Sequence, residues 1–258
     1  MKTNKFFKSL VSVFLTMTFL IVQGCGSFRP RLNVPGNADD FENYLNSTVS
    51  FIEVEEASQL MYGPYCTGFY ISPRRLATAA HCVVREGDSE TVGNEMLFVE
   101  YAADQEWRLM THNQRTRRGI MNYRHSHVAA VDVENDVAIL VLETREHDAT
   151  NWYEMRDLNH DPLVVGEQLY SISNPTGTSW MFMEGILSRI NVYRDDTNGV
   201  IQTRIMHQVR IGPGSSGSPL LDADARVIGV NVAITMHGHY ISLAVPVSYV
   251  QHLLHTLP

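Results

Sequence analysis

Apolar residues recur along this chain in short runs separated by polar turns. In the first half the runs are Val49–Val54, Thr67–Ile71, Leu76–Ala79, Met96–Tyr101, Trp107–Met110 and Val137–Leu142. In the second they are Gln168–Ile172, Met181–Ile190, Gly199–Ile205, Val227–Ala233 and Tyr240–Ala244. Runs of this length, bounded by turn residues, have the spacing of strands rather than helices. Two sets of short strands predict two β-barrels. The polar stretch Glu143–Leu158 is the expected connection between them, which places an N-terminal barrel at 48–150 and a C-terminal barrel at 151–258. One helix is predicted, at the C-terminus. Ser248-Tyr249-Val250-Gln251 has a capping-box pattern, and Val250, Leu253, Leu254 and Leu257 fall on one face that should pack back on the second lobe. No tandem repeat or low-complexity tract interrupts the pattern.

The first residues break it. Lys2, Lys5 and Lys8 precede an apolar run from Leu10 to Val22, too short and one-sided for a stable membrane span. Met1–Gly24 therefore reads as a signal peptide. Val22-Gln23-Gly24-Cys25 resembles a bacterial lipobox, with cleavage before Cys25 and acylation of its thiol. Gln23 departs from the small or aliphatic residue usual there, which leaves ordinary cleavage with a free Cys25 thiol as the alternative. Gly26, rather than Asp, follows Cys25; in lipoproteins of Gram-negative type that implies passage to the outer membrane. Residues 25–47 contain Arg29-Pro30-Arg31 and Val34-Pro35-Gly36-Asn37 and read as a tether.

Charge narrows the partners. The chain carries −8, and loss of the three leader lysines leaves −11. No basic stripe dominates, which argues against a nucleic-acid partner. The cluster Arg115, Arg117, Arg118 reads as a solvated loop. His125/His127 and His237/His239 are His-x-His pairs of the kind that can bind metal, but no third ligand accompanies either, so no metal and no cofactor is expected.

The most informative stretch is Gly212-Pro213-Gly214-Ser215-Ser216-Gly217-Ser218-Pro219, a polar, glycine-rich segment between apolar runs. Glycines on both sides of a serine let the backbone turn sharply and leave its N–H groups pointing outward. A nucleophilic serine needs such an exposed hydroxyl with backbone donors beside it. Ser216 fits better than Ser215 or Ser218, because it alone has glycine two residues before and one after. A base and an orienting acid are available in Thr78-Ala79-Ala80-His81-Cys82 and Asn135-Asp136-Val137-Ala138-Ile139-Leu140.

Those segments, with Cys66-Thr67-Gly68-Phe69-Tyr70-Ile71-Ser72 and Gly214-Ser215-Ser216-Gly217-Ser218-Pro219, resemble the histidine, aspartate and serine motifs of trypsin-like serine proteases. The order His, Asp, Ser is the chymotrypsin-type order. An α/β-hydrolase esterase fails on that order, and Ser218 stands where its elbow needs a second glycine. The resemblance runs from about Thr48 to the C-terminus. It implies an all-β fold of two Greek-key barrels, with the active site between them and a terminal helix. It also implies His81 as general base, Asp136 as its orienting acid, Ser216 as nucleophile, and the Gly214 and Ser216 N–H groups as an oxyanion hole. Cys66 and Cys82 stand where this family bridges cysteines, and closing that loop would stabilise the fold by roughly 3 kcal/mol.

Other features are closer to HtrA-type and other bacterial trypsin-like peptidases: Asn174-Pro175-Thr176-Gly177, Val227-Ile228-Gly229-Val230-Asn231 and Ala244-Val245-Pro246-Val247. No Ile-Val-Gly-Gly activation terminus is seen, and no PDZ domain is expected after the helix. HtrA-type relatives often trimerise; without their additional domains that carry-over is weak, which leaves an oligomer open but unsupported. By the same resemblance, Asn231, Val232, Ala233 and Ile234 form the edge that pairs with substrate. Ile234, where trypsin has a pocket-opening glycine, would favour small aliphatic side chains. Arg210 would attract acidic side chains if it points inward, and has no such effect if it faces solvent. The expected activity is hydrolysis of peptide bonds in extracytoplasmic proteins. The alternative is a protease-fold binding or sensing module with little turnover.

Overall fold

The computed structural model describes residues 44, 47–51, 54–55, 60–61, 65–84, 96–100, 123–142, 149, 151–177, 180–194, 201–235 and 240–258. The leader, Cys25, Arg115–Arg118, Trp107–Met110, His237 and His239 lie outside them, as does the side chain of His125.

Two closed antiparallel barrels form, each of six strands. The first contains β1 (Thr48–Phe51), β4 (Cys66–Ser72), β5 (Arg75–Thr78), β6 (Met96–Glu100), β7 (Tyr123–Asp132) and β8 (Val137–Leu142), in the order β1-β4-β5-β8-β7-β6. Between β1 and β4, the short β2 (Val54–Glu55) and β3 (Leu60–Met61) pair with each other. The second barrel contains β9 (Gln168–Ser173), β10 (Met181–Arg194), β11 (Ile201–His207), β12 (Pro219–Leu221), β13 (Val227–Thr235) and β14 (Ile241–Pro246), in the order β10-β11-β14-β13-β12-β9. Closure removes the unpaired edges that would otherwise template association. The strands β4, β5 and β8 are buried along nearly their whole length, as their continuous apolar runs predict.

One apolar cluster joins the barrels. Phe69, Leu76, Ile139 and Leu140 from the first pack in the same cluster as Val230, Val245 and Val250 from the second. A separate cluster of Leu169, Leu187, Ile205, Val209, Leu220, Ile228 and Ala244 fills the second barrel. Polar bonds also cross: Trp180 Nε1 donates to Thr48 O at 2.8 Å, and the Tyr153 N–H donates to Tyr70 O at 2.9 Å.

The terminal helix α1 (Val247–His255) is present, but two expectations about it fail. It begins at Val247 with Pro246 at the N-cap, and no side chain caps it. Ser248 therefore lies within the first turn; the fixed φ of proline already suits a helix entry. The helix also packs on both lobes, touching β7 and β8 as well as β13 and β14. Its buried residues Val247, Val250 and Leu253 belong to the shared cluster rather than to the second barrel alone. Three of the described strands lie outside the runs named from sequence: β3, β7 and β12.

Candidate functional site

His81 sits in a 3₁₀ turn, Ala80–Cys82, directly after β5. Asp136 closes the tight turn between β7 and β8 and adopts φ +62°, in the left-handed region that Asp and Asn tolerate best. Asp132 braces that turn, accepting from Asn135 N at 3.0 Å and from Asn135 Nδ2 at 2.8 Å. Since β5 and β8 are paired neighbours, the turn delivers the carboxylate to the histidine. His81 Nδ1 lies 3.0 and 2.9 Å from the two Asp136 oxygens, and the His81 backbone N–H donates to Oδ1 at 2.9 Å. The ring is about half exposed and the carboxylate less so, at 47% and 23%. The hydrogen bond to Asp136 raises the His81 pKa above its ordinary value; burial opposes this and the Asp136 charge adds to it.

Cys66 and Cys82 are joined in a disulfide with Cα atoms 6.1 Å apart. It fixes the 3₁₀ turn to β4. Cys82 Sγ lies 3.7 Å from Ser216 O, so the residue after His81 touches the main chain of the candidate nucleophile. The Thr67 N–H donates to Ser216 O at 2.8 Å. Among the described residues, no hydrogen bond joins the Ser216 hydroxyl to the His81 ring.

The loop around Ser216 is held by its carbonyls. Gly212–Ser215 forms a turn closed by Ser215 N–H to Gly212 O at 2.8 Å. Proline at its second position and glycine with φ +95° at its third define a type II turn. The Pro213 carbonyl accepts from Thr176 N at 2.6 Å, and the Ser215 carbonyl from Ser218 N at 3.0 Å. In a trans peptide the N–H points opposite to the C=O. The N–H groups of Gly214 and Ser216 therefore face away from those anchors, and neither takes a partner among the described residues. Gly217, at φ +84°, could carry no side chain: a Cβ there would collide with Thr67 O and Thr78 Oγ1.

The expected substrate edge divides. Asn231 is fully buried, and its N–H and C=O are already paired with Ser218 O and Gly217 N. Its Nδ2 donates to Ser218 Oγ at 2.9 Å and Ser171 Oγ at 3.1 Å. It supports the loop from behind and does not face the cleft. Beyond it, β13 pairs with β14 through Ala233, Ile234 and Thr235, whereas β12 pairs only as far as Val230. The other side of residues 232–234 is thus a free strand edge among the described residues. Ile234 pairs with Ser242, whose hydroxyl donates to Val209 O at 2.6 Å; Arg210 is exposed.

Sequence reading missed the polar layer under this loop. Ser173 Oγ donates to Ser215 Oγ at 3.0 Å, and Ser171 Oγ to Ser218 Oγ at 3.2 Å. His207, also fully buried, has no ordinary hydrogen bond to either ring nitrogen among the described residues. Burial pushes its pKa down to about 4, with nearby Asn231 opposing. The available signal was period two: Ile205 and His207 share one face of β11, and Ile205 is core.

Two barrels with a paired histidine and aspartate on one, and an anchored serine loop on the other, have the architecture of a chymotrypsin-type peptidase. The profile of the trypsin-like peptidase domain matches residues 66–230, and the chain belongs to that family. It is 35% identical over 125 residues to the "Probable periplasmic serine endoprotease DegP-like" of Halomonas elongata, covering 46% of this chain and 24% of that one. To "Protease Do-like 1, chloroplastic" of Arabidopsis thaliana it is 31% identical over 112 residues, covering 42% and 24%. The chain therefore spans about a quarter of the length of each of these relatives. Among solved structures, the active form of the Rv3671c protease from M. tuberculosis superposes with a TM-score of 0.62 at 20% identity, over 84% of this chain and 82% of that one. Deg5 superposes with 0.59 at 22% identity, over 82% and 88%. At such identities the likeness establishes the fold.

Proposed function

We propose that this chain is a serine endopeptidase that cleaves extracytoplasmic proteins or peptides through Ser216, His81 and Asp136. The observation that carries the reading is the loop that turns two backbone N–H groups outward at Ser216, with a carboxylate-paired histidine beside it. In this reading Ser216 Oγ attacks the scissile carbonyl while His81 Nε2 takes its proton. Asp136 holds the ring by Nδ1 and stabilises the imidazolium. The Gly214 and Ser216 N–H groups receive the oxyanion, and each such donor is worth about 3–4 kcal/mol at the transition state. His81 then returns the proton to the leaving amine, and water repeats the sequence on the acyl-enzyme. The free edge at 232–234 takes substrate as an added strand. Ile234 and Ser242 crowd the expected pocket and favour small aliphatic side chains, while Arg210, facing solvent, exerts no pull on acidic ones.

Periplasmic relatives support an extracytoplasmic location; the lipobox-like Val22-Gln23-Gly24-Cys25, followed by Gly26, supports Cys25 as a lipid anchor at the outer membrane. The second reading, a binding or sensing module, draws on the missing Ser216–His81 hydrogen bond. Such bonds are often long in free enzymes and tighten with substrate. A fluorophosphonate probe separates the readings. Labelling of the wild type and none of Ser216→Ala is the expected result; a folded wild type that stays unlabelled would defeat the proteolytic reading.

A further inference from the structure

We propose that Thr67 is a positioning residue for the oxyanion hole, holding both sides of the nucleophile loop from the opposite barrel. This rests on the proteolytic reading of Ser216.

The hydroxyl of Thr67 donates to Gly214 O at 2.8 Å and lies 2.8 Å from Asn174 Nδ2 and 3.2 Å from Asn174 N, both donors to it. A threonine hydroxyl has one proton to give and two lone pairs to receive. All three are used here, in a fully buried position. The same residue's N–H holds Ser216 O, so Thr67 grips the loop on either side of Ser215. Asn174 is equally committed: its Oδ1 accepts from Trp180 N at 2.9 Å. Two residues on, Thr176 adopts φ +52° and offers its N–H to Pro213 O. That bond orients the peptide whose other end is the Gly214 N–H. The contacts close a ring: Thr67 to Asn174, along the chain to Thr176, across to Pro213, through Gly214, and back to Thr67.

Within that ring the Thr67 hydroxyl bridges the Asn174 turn and the nucleophile loop directly. Without it, Gly214 O and the Asn174 amide each lose a partner in a dry site, where unmet polar groups are expensive. Rotating the Gly214–Ser215 peptide would let Gly214 O find another donor, and the accompanying change in the Gly214 dihedrals would swing the adjoining Pro213–Gly214 peptide and withdraw the Gly214 N–H from the oxyanion. The residue touches no substrate. It acts through the orientation of a peptide bond.

The test compares Thr67→Val, which keeps the shape and removes the hydroxyl, with Thr67→Ser, which keeps the hydroxyl. For the valine variant we expect kcat to fall about 10²-fold, comparable to a small misplacement of catalytic groups, with KM nearly unchanged. Affinity for a peptide aldehyde, whose adduct places an oxyanion in the hole, should fall in parallel. Affinity for a non-covalent product peptide should not. The serine variant should restore kcat to within a few-fold of wild type. If the valine chain fails to fold, Thr67→Ala makes the same cut and is read the same way. A folded hydroxyl-less variant with wild-type kcat, or a serine variant as impaired as valine, overturns the proposal. A wild type that neither turns over nor labels with fluorophosphonate overturns the proteolytic reading as well; an active wild type with an active valine variant defeats only the role of Thr67.

Discussion

His81 and His207 occupy opposite environments in the two barrels. His81 is half exposed, lies within 3.0 Å of both Asp136 oxygens and has a raised pKa. His207 is buried inside the second barrel, its ring has no ordinary hydrogen bond among the described residues, and burial pushes its pKa down to about 4. The same side chain is tuned upward by a partner in one place and downward by desolvation in the other. The first arrangement keeps a proton acceptor basic where substrate can reach it. The second keeps a ring neutral where nothing could compensate its charge.

The largest effect should follow from removing the partner. Asp136→Asn leaves the shape of the pair and takes away its charge, and the ring loses the acceptor that fixes its tautomer. We expect kcat to drop about 10⁴-fold, the size of that loss in triads of this type. The pH profile carries the sign. A base must be neutral to act, so the acid limb of kcat/KM in the wild type should lie above 6.5, the direction in which Asp136 drives His81. In the asparagine variant the residual activity should show that limb displaced to lower pH. An unmoved limb would mean that Asp136 does not set the basicity of His81.

The second effect is on stability and belongs to His207. Its folded pKa lies below the unfolded value near 6.5, so the unfolded chain binds the extra proton between pH 6.5 and about 4. The contribution is fully present above 6.5 and disappears as pH falls through that window. A shift of this size corresponds to about 3 kcal/mol. In urea unfolding, the wild type should lose about that much more stability between pH 7 and pH 4 than His207→Leu does. Equal losses in the two proteins would show that His207 does not titrate on unfolding, and the contrast with His81 would collapse.

These comparisons also mark what could be read from sequence. Ser216, His81 and Asp136 stand out because each is embedded in a local motif, and three motifs in order constrain one another. Strands β4, β8 and β13 stand out because continuous apolar runs mean burial on both faces. β7 does not: His125, Ser126 and His127 interrupt its apolar residues, and pairing with β6 and β8 decides its state. Thr67 was invisible as anything but a strand residue, since its hydroxyl bonds lie 107 and 147 positions away. The orientation of the Gly214 N–H was equally out of reach, because it depends on the Thr176 contact rather than on the glycine alone. The expected pairing of the Asn231 backbone with substrate meets a similar limit: its N–H and C=O already pair with Ser218 and Gly217, contacts that local sequence does not reveal.

A third histidine tests whether closeness to a carboxylate is enough. His160 Nδ1 lies 2.7 Å from Asp157 Oδ2, closer than His81 is to Asp136, but the two side chains are 87% and 54% exposed. The hydrogen bond from His160, with a further one from Asn159 N, holds the Asp157 carboxyl below its usual range. Water solvates both partners whether or not they touch, and holding two free side chains together offsets the attraction. We therefore expect His160→Ala to leave both the thermal midpoint and kcat/KM indistinguishable from wild type. A fall of several degrees would mean that the surface pair is coupled to the Arg156–Asp161–Arg226 ion-pair group, whose Arg156 and Asp161 flank it directly in sequence, and helps to order it. With no change, the ordering of the three histidines follows from their surroundings. His160 has a partner without burial and little consequence, His207 has burial without a charged partner among the described residues and a pH-dependent stability, and His81 has enough of both for its partner to set its basicity.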